Sequence, residues 1–93
     1  MATEQFDLVI RNGRVVTGGT ESVTDIGVAG GRIVQLGGGL RGAEEVDATD
    51  RWVLPGGIDA HVHLTPPGTE PGSWRWVDDF EVGTRAAAAG GIT

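Results

Sequence analysis

The chain has 93 residues, a net charge of −6, seven basic residues that are all Arg, 17 glycines and no cysteine. The acids are spread along the chain and no basic face gathers, which argues against a nucleic-acid binder; the lack of Cys excludes disulfides and thiolate ligands. No apolar run approaches the ~20 residues of a membrane span, and Met1-Ala2-Thr3-Glu4-Gln5 has neither the basic nor the apolar region of a signal peptide, so a soluble cytoplasmic protein is the expectation.

Phe6 to Ile10 and Arg14 to Thr17 flank Arg11-Asn12-Gly13, and Asn-Gly between β-rich runs predicts a hairpin, because both turn positions tolerate positive φ. Asp25 to Ala29 and Arg32 to Leu36 flank Gly30-Gly31 and predict a second hairpin, and Gly37-Gly38-Gly39 ends it. Val46-Asp47-Ala48 and Trp52-Val53-Leu54 read as two more short strands around Thr49-Asp50-Arg51, with Trp52 in the core. Short strands at this spacing predict a small antiparallel sheet or half-sandwich. The glycine clusters read as turns, since no Gly-x-x-x-x-Gly-Lys-Ser/Thr is present.

The pattern changes at Pro55. Gly57 to Leu64 is mostly apolar and reads as a strand buried on both faces. Thr65 to Val77 is a loop rich in Pro and Gly. Asp78 is the expected N-cap of a helix, paired with Glu81 in a capping-box arrangement, and Phe80, Thr84, Ala87 and Ala88 fall along one stripe. Gly90-Gly91 stops the helix and Ile92 opens the next element. Strand, loop, helix and strand open a βαβ unit. A chain with so little room for a core, stopping at Gly90-Gly91-Ile92-Thr93 as if entering a strand, is expected to be an N-terminal portion of a larger protein or one chain of a two-chain assembly.

The chemistry concentrates at His61-Val62-His63, the two histidines of the chain. Alternate residues of a strand share a face, roughly 6.6 Å apart at two rises, and two imidazoles so placed can converge on one ion at Zn–N distances of about 2.0–2.1 Å. The end of a strand opening an α/β unit is where a (β/α)8 barrel builds its active site. Asp59 falls on the same face. It either orients a ligand as an acceptor or hydrogen-bonds locally at the start of the strand. Trp74 and Trp76, in the following loop, are candidates for the wall of a substrate pocket, with surface packing as the alternative. Asp78 and Asp79 read as partners of a helix start.

Val9-Ile10-Arg11-Asn12-Gly13-Arg14-Val15-Val16, Asp25 to Ile33 and Pro55-Gly56-Gly57-Ile58-Asp59-Ala60-His61-Val62-His63-Leu64 together resemble the N-terminus of an amidohydrolase-superfamily enzyme. Asp78 to Thr93 narrows the resemblance to the dihydropyrimidinase/hydantoinase branch. The resemblance implies an α/β (β/α)8 barrel with a small β-sandwich domain made from both chain ends. Residues 1–55 would be part of the sandwich, and residues 56–93 the first strand, loop and helix of the barrel. It implies metal-dependent hydrolysis of a cyclic amide, such as a hydantoin, dihydropyrimidine or related imide ring. Allantoinase-like and dihydroorotase-like activities, or a non-catalytic scaffold, are the alternatives.

In that family His61 and His63 would be metal ligands, and the cofactor two divalent ions, zinc foremost, bridged by a carboxylated Lys. This chain has no Lys and no third His, so the residues alone are expected to be inactive. The implied partners are the remainder of the barrel, on the same polypeptide or a second chain, a small cyclic-amide substrate and further copies in a homo-oligomer, a tetramer by resemblance. The segment from Leu64 to Val77 is longer than its counterpart in typical hydantoinases, where this loop helps select the ring substituent.

Overall fold

The computed structural model describes residues 6–64 and 79–93. The chain divides into two compact units, Met1–Pro55 and Gly56–Thr93.

The first unit is a five-stranded sheet made of β1 (Phe6–Thr17), β2 (Thr20–Ala29), β3 (Arg32–Gly37), β4 (Gly42–Asp47) and β5 (Trp52–Val53). The order is β3-β2-β1-β4, and β5 also pairs with β1. Gly30 and Gly31, at φ 60° and 74°, form the expected turn between β2 and β3. The hairpin expected at Asn12-Gly13 does not form. β1 runs straight through that dipeptide and turns at Gly18-Gly19, at φ 57° and 80°. Two glycines meet the left-handed requirement of a two-residue turn with less strain than Asn-Gly.

Asn12-Gly13 is instead a β-bulge. Ile10 faces Ile26 and Gly13 faces Thr24, so β1 carries one extra residue against β2. Asn12 takes φ 58°, and its freed N–H donates to Asp25 Oδ1 at 2.9 Å. Gly13 is demanded by crowding: a Cβ there would lie 2.5 Å from Val53 Cγ2 and 3.3 Å from Ala48 Cβ.

The sheet is mixed, not antiparallel. β4 and β5 both run parallel to β1, from Phe6↔Gly42 to Arg11↔Asp47 and from Arg14↔Trp52 to Val15↔Val53. Residues 48–51 do not reverse the chain. Ala48 N–H donates to Arg11 O, Arg51 N–H to Ala48 O, and Arg14 N–H to Arg51 O, at 2.8, 3.0 and 2.9 Å. β4 and β5 are thus two stretches of one edge, interrupted opposite the bulge. Trp52 is on that edge and 62% exposed, against the core placement expected of it. Arg14 stands on the same edge pair, with its guanidinium carbon 5.5 Å from the indole centroid, an arrangement that favours an exposed ring.

The passage from β3 to β4 crosses one face of the sheet. Leu40 in this crossover is buried with Phe6 and Val9, and these side chains form the core cluster. Asp25 is the buried polar side chain beneath it, at 2% exposure, and its Oδ2 accepts Leu40 N–H at 3.2 Å. One carboxylate thereby joins the bulge on β1, strand β2 and the crossover. A buried acceptor is tolerated when hydrogen bonds replace its lost water.

In the second unit α1 spans Phe80–Ala89. Its N-cap is Asp79, one residue later than expected, and Asp79 Oδ1 accepts Val82 N–H at 2.8 Å. With the cap at 79, Glu81 falls too early for the capping box and lies in the first turn, where its charge favours the helix dipole. Gly91 N–H donates to Ala88 O and Ile92 N–H to Ala87 O, with Gly91 at φ 87°. This is the Schellman closure that a C-terminal glycine permits. Thr84, Ala87 and Ala88 line a groove with Ile58, Val62, Leu64 and Ile92, while Phe80, expected on this stripe, is 58% exposed.

The strand expected over Gly57 to Leu64 is reduced to one parallel bridge, Gly57↔Ile92. Gly57 N–H donates to Gly91 O, and Thr93 N–H to Gly57 O. Beyond it the chain bends at Ala60-His61, where Asp59 Oδ1 accepts His61 N–H at 3.1 Å. A side chain that captures a main-chain donor two residues on competes directly with a ladder. Among the described residues no helix is long and apolar enough to cross a membrane.

Candidate metal centre

The segment from Ile58 to Leu64 meets α1 through Leu64. Ile58, Val62 and Leu64 face the groove beside Thr84, Ala87 and Ala88. Leu64 seats on Gly83, where a Cβ would lie 2.9 Å from Leu64 Cδ2. Val62 and Leu64 line this groove, and His61 and His63 do not.

The two imidazoles converge. His61 Nε2 and His63 Nε2 are 3.1 Å apart, with ring centroids 5.1 Å apart and planes tilted by 39°. Two nitrogens bound tetrahedrally to one ion at about 2.0–2.1 Å are about 3.3–3.4 Å apart, so the pair fits two corners of a metal site with little adjustment. The same separation also suits a hydrogen bond, one Nε2–H donating to the lone pair of the other ring. Both rings are exposed, so an ion has access.

Among the described residues no group of three or more His, Cys, Asp or Glu could hold an ion. The donor set here is two imidazoles, suited to zinc and similar ions, and further ligands must come from elsewhere. Asp59 Oδ1 receives the His61 main-chain N–H. Trp74, Trp76 and Asp78 lie outside the described residues.

The perturbed carboxylates belong to the sheet. Glu45 is held below its ordinary pKa by the Arg11 guanidinium that donates to it, and then by Gly42 N–H. Asp47 is lowered by the Thr49 hydroxyl and then by Thr49 N–H. Arg11 is raised by its bond to Glu45. Asp25 is the residue that sequence reasoning passed over. Its partners are main-chain N–H groups, so it serves architecture, and the signal for it was an acid directly before the apolar run Ile26-Gly27-Val28-Ala29.

No family model matches the chain. An allantoinase of Rubrobacter xylanophilus is 54% identical over 90 residues, covering 95% of this chain and 18% of that protein. An allantoinase of Salmonella choleraesuis is 48% identical over 89 residues, 95% of this chain and 18% of the relative. An allantoinase of Enterococcus faecalis is 46% identical over 91 residues, 96% and 19% respectively. The chain spans about a fifth of the length of these curated relatives. It is homologous to the N-terminal part of allantoinases, within the cyclic amidohydrolase branch of the amidohydrolase superfamily.

Proposed function

We propose that this chain contributes a histidine pair to the metal centre of a hydrolase that opens a cyclic amide, and that the ring is a hydantoin carrying a ureido group, as in allantoin. The observation that carries the reading is the 3.1 Å approach of His61 Nε2 to His63 Nε2, on a segment whose relatives bear the name allantoinase. Allantoin is itself a substituted hydantoin, so the hydantoinase resemblance and the allantoinase relatives meet on one ring. The unsubstituted hydantoin and the dihydropyrimidine remain the competing substrates.

In this reading His61 and His63 hold an ion through neutral Nε2 lone pairs. Leu64, seated against Gly83 of α1, tethers the segment that carries the pair. When bound, such an ion lowers the pKa of a coordinated water and polarises a carbonyl. The remaining ligands and the group that moves the proton lie outside the described residues, in the rest of a barrel supplied by the same polypeptide or a second chain.

The test uses the complete protein. His61→Ala and His63→Ala are each expected to lower bound metal and allantoin hydrolysis together, by 10-fold or more if a lost ligand costs at least what lost outer support does. Full metal content and unchanged turnover in both variants overturn the assignment. A dihydrouracil or unsubstituted hydantoin turned over tenfold faster than allantoin overturns the substrate.

A further inference from the structure

We infer that Asp59 is a positioning residue for the histidine pair, and that it acts through the main chain of His61 and not on an imidazole. The inference rests on the metal reading above and adds how the pair is set.

Between the Gly57 bridge and α1, the main chain of residues 58–64 has little ladder to hold it. Gly57 uses its N–H and its carbonyl on Gly91 and Thr93. Among the described residues, the next main-chain donor held beyond that rung is His61 N–H, at 3.1 Å from Asp59 Oδ1. The bend at Ala60-His61 sits inside this two-residue turn. On the other side of the pair, Leu64 is fixed over Gly83. The Asp59 turn and the Leu64 contact therefore bracket His61-Val62-His63.

The geometry of the rings depends on that bracket. The ring centroids lie 5.1 Å apart and the Nε2 atoms 3.1 Å apart, on a main chain that bends at Ala60-His61. The rings can hold each other through the hydrogen bond their separation suits, and the turn beneath His61 sets where they meet. An aspartate acting directly on an imidazole would direct its carboxylate at a ring nitrogen. Here Asp59 Oδ1 is committed to an N–H of the backbone.

This makes charge and turn separable. Asp59→Asn keeps an Oδ1 that accepts the same N–H and loses the charge. Asp59→Glu keeps the charge but lengthens the side chain by one methylene, which spoils the two-residue turn. Apo-protein, prepared from the complete polypeptide, is titrated with Zn²⁺ alone against a chelator of known affinity, and Co²⁺ visible spectra report ligand geometry. Asp59→Asn is expected to bind Zn²⁺ within about 3-fold of wild type with an unchanged Co²⁺ spectrum, while Asp59→Ala and Asp59→Glu bind about 10-fold more weakly or worse.

The inference is overturned if Asn is as weak as Ala while Glu binds like wild type, since charge is then what matters. It is also overturned if all three variants bind like wild type. Should Asp59→Ala not fold, the Asn and Glu pair still decides. His61→Ala and His63→Ala run alongside: if both bind Zn²⁺ as wild type does, the metal reading itself fails. If both lose Zn²⁺ while the Asp59 variants follow charge, the role of Asp59 alone fails.

Discussion

Gly13 and Asp25 act at opposite ends of the same bulge. Gly13 has an ordinary backbone and no room, because a Cβ meets Val53 and Ala48. Gly13→Val is therefore expected to destabilise by about 1–3 kcal/mol through overpacking, read as a lowered denaturation midpoint. Gly18→Ala is the comparison. It has open space around it and a positive φ, so it reports backbone strain alone, about 1 kcal/mol or slightly more. Equal midpoints for Gly13→Val and wild type would remove the crowding argument. Asp25→Ala strands the N–H groups of Asn12 and Leu40, and the buried Leu40 donor left unpaired costs about 1–3 kcal/mol, the half-buried Asn12 donor less. An Asp25→Ala protein as stable as wild type would show that water reaches both donors.

At the scale of elements, α1 depends on its cap. Asp79→Ala removes the acceptor for Val82 N–H and is expected to cost about 0.5–2 kcal/mol, with a matching loss of amide protection in the first turn of the helix. Amide exchange unchanged at Val82 would mean another group had taken over the cap. The pairing of β1 with β4 is pH-sensitive through Arg11 and Glu45, whose Nη1 and Oε1 are 2.8 Å apart. Glu45 is depressed in the folded protein relative to an unfolded value of about 4.3. Its contribution is whole above that value and is lost as pH falls through the lower folded value. Asp47, also depressed, adds to the same side. Glu45→Gln is expected to flatten the fall of the denaturation midpoint between neutral and acid pH, and high salt to shrink the difference. A variant with the wild-type acid slope would assign that slope to other groups.

For the whole molecule, the local features were legible in the residues and the long-range ones were not. Gly30-Gly31 and Gly90-Gly91 were readable as a turn and a helix stop because positive φ is a property of the residue itself. His61 and His63 were expected to approach each other by strand alternation; the Nε2 atoms do approach, at 3.1 Å, but on a bent segment and not on a strand. The resemblance that sequence motifs carried is matched by allantoinase relatives at 46–54% identity. Asn12-Gly13 was misread because a dipeptide that suits a turn also suits a bulge. The choice fell to partners far along the chain: Asp25, thirteen residues on, takes the freed N–H, and β4 and β5 flank both sides of the kink. The same holds for strand direction. No period or propensity encodes whether β4 lies parallel or antiparallel to β1, and the parallel choice came from the crossover at Leu40 packing on Phe6 and Val9. What the sequence by itself determined is the conformation each residue tolerates and the chemistry it carries, since both are decided within a few bonds. Tertiary structure alone decided which tolerated conformation was taken and where the buried Asp25 found its partners, because each depends on which distant groups arrive to compete for the same hydrogen bond.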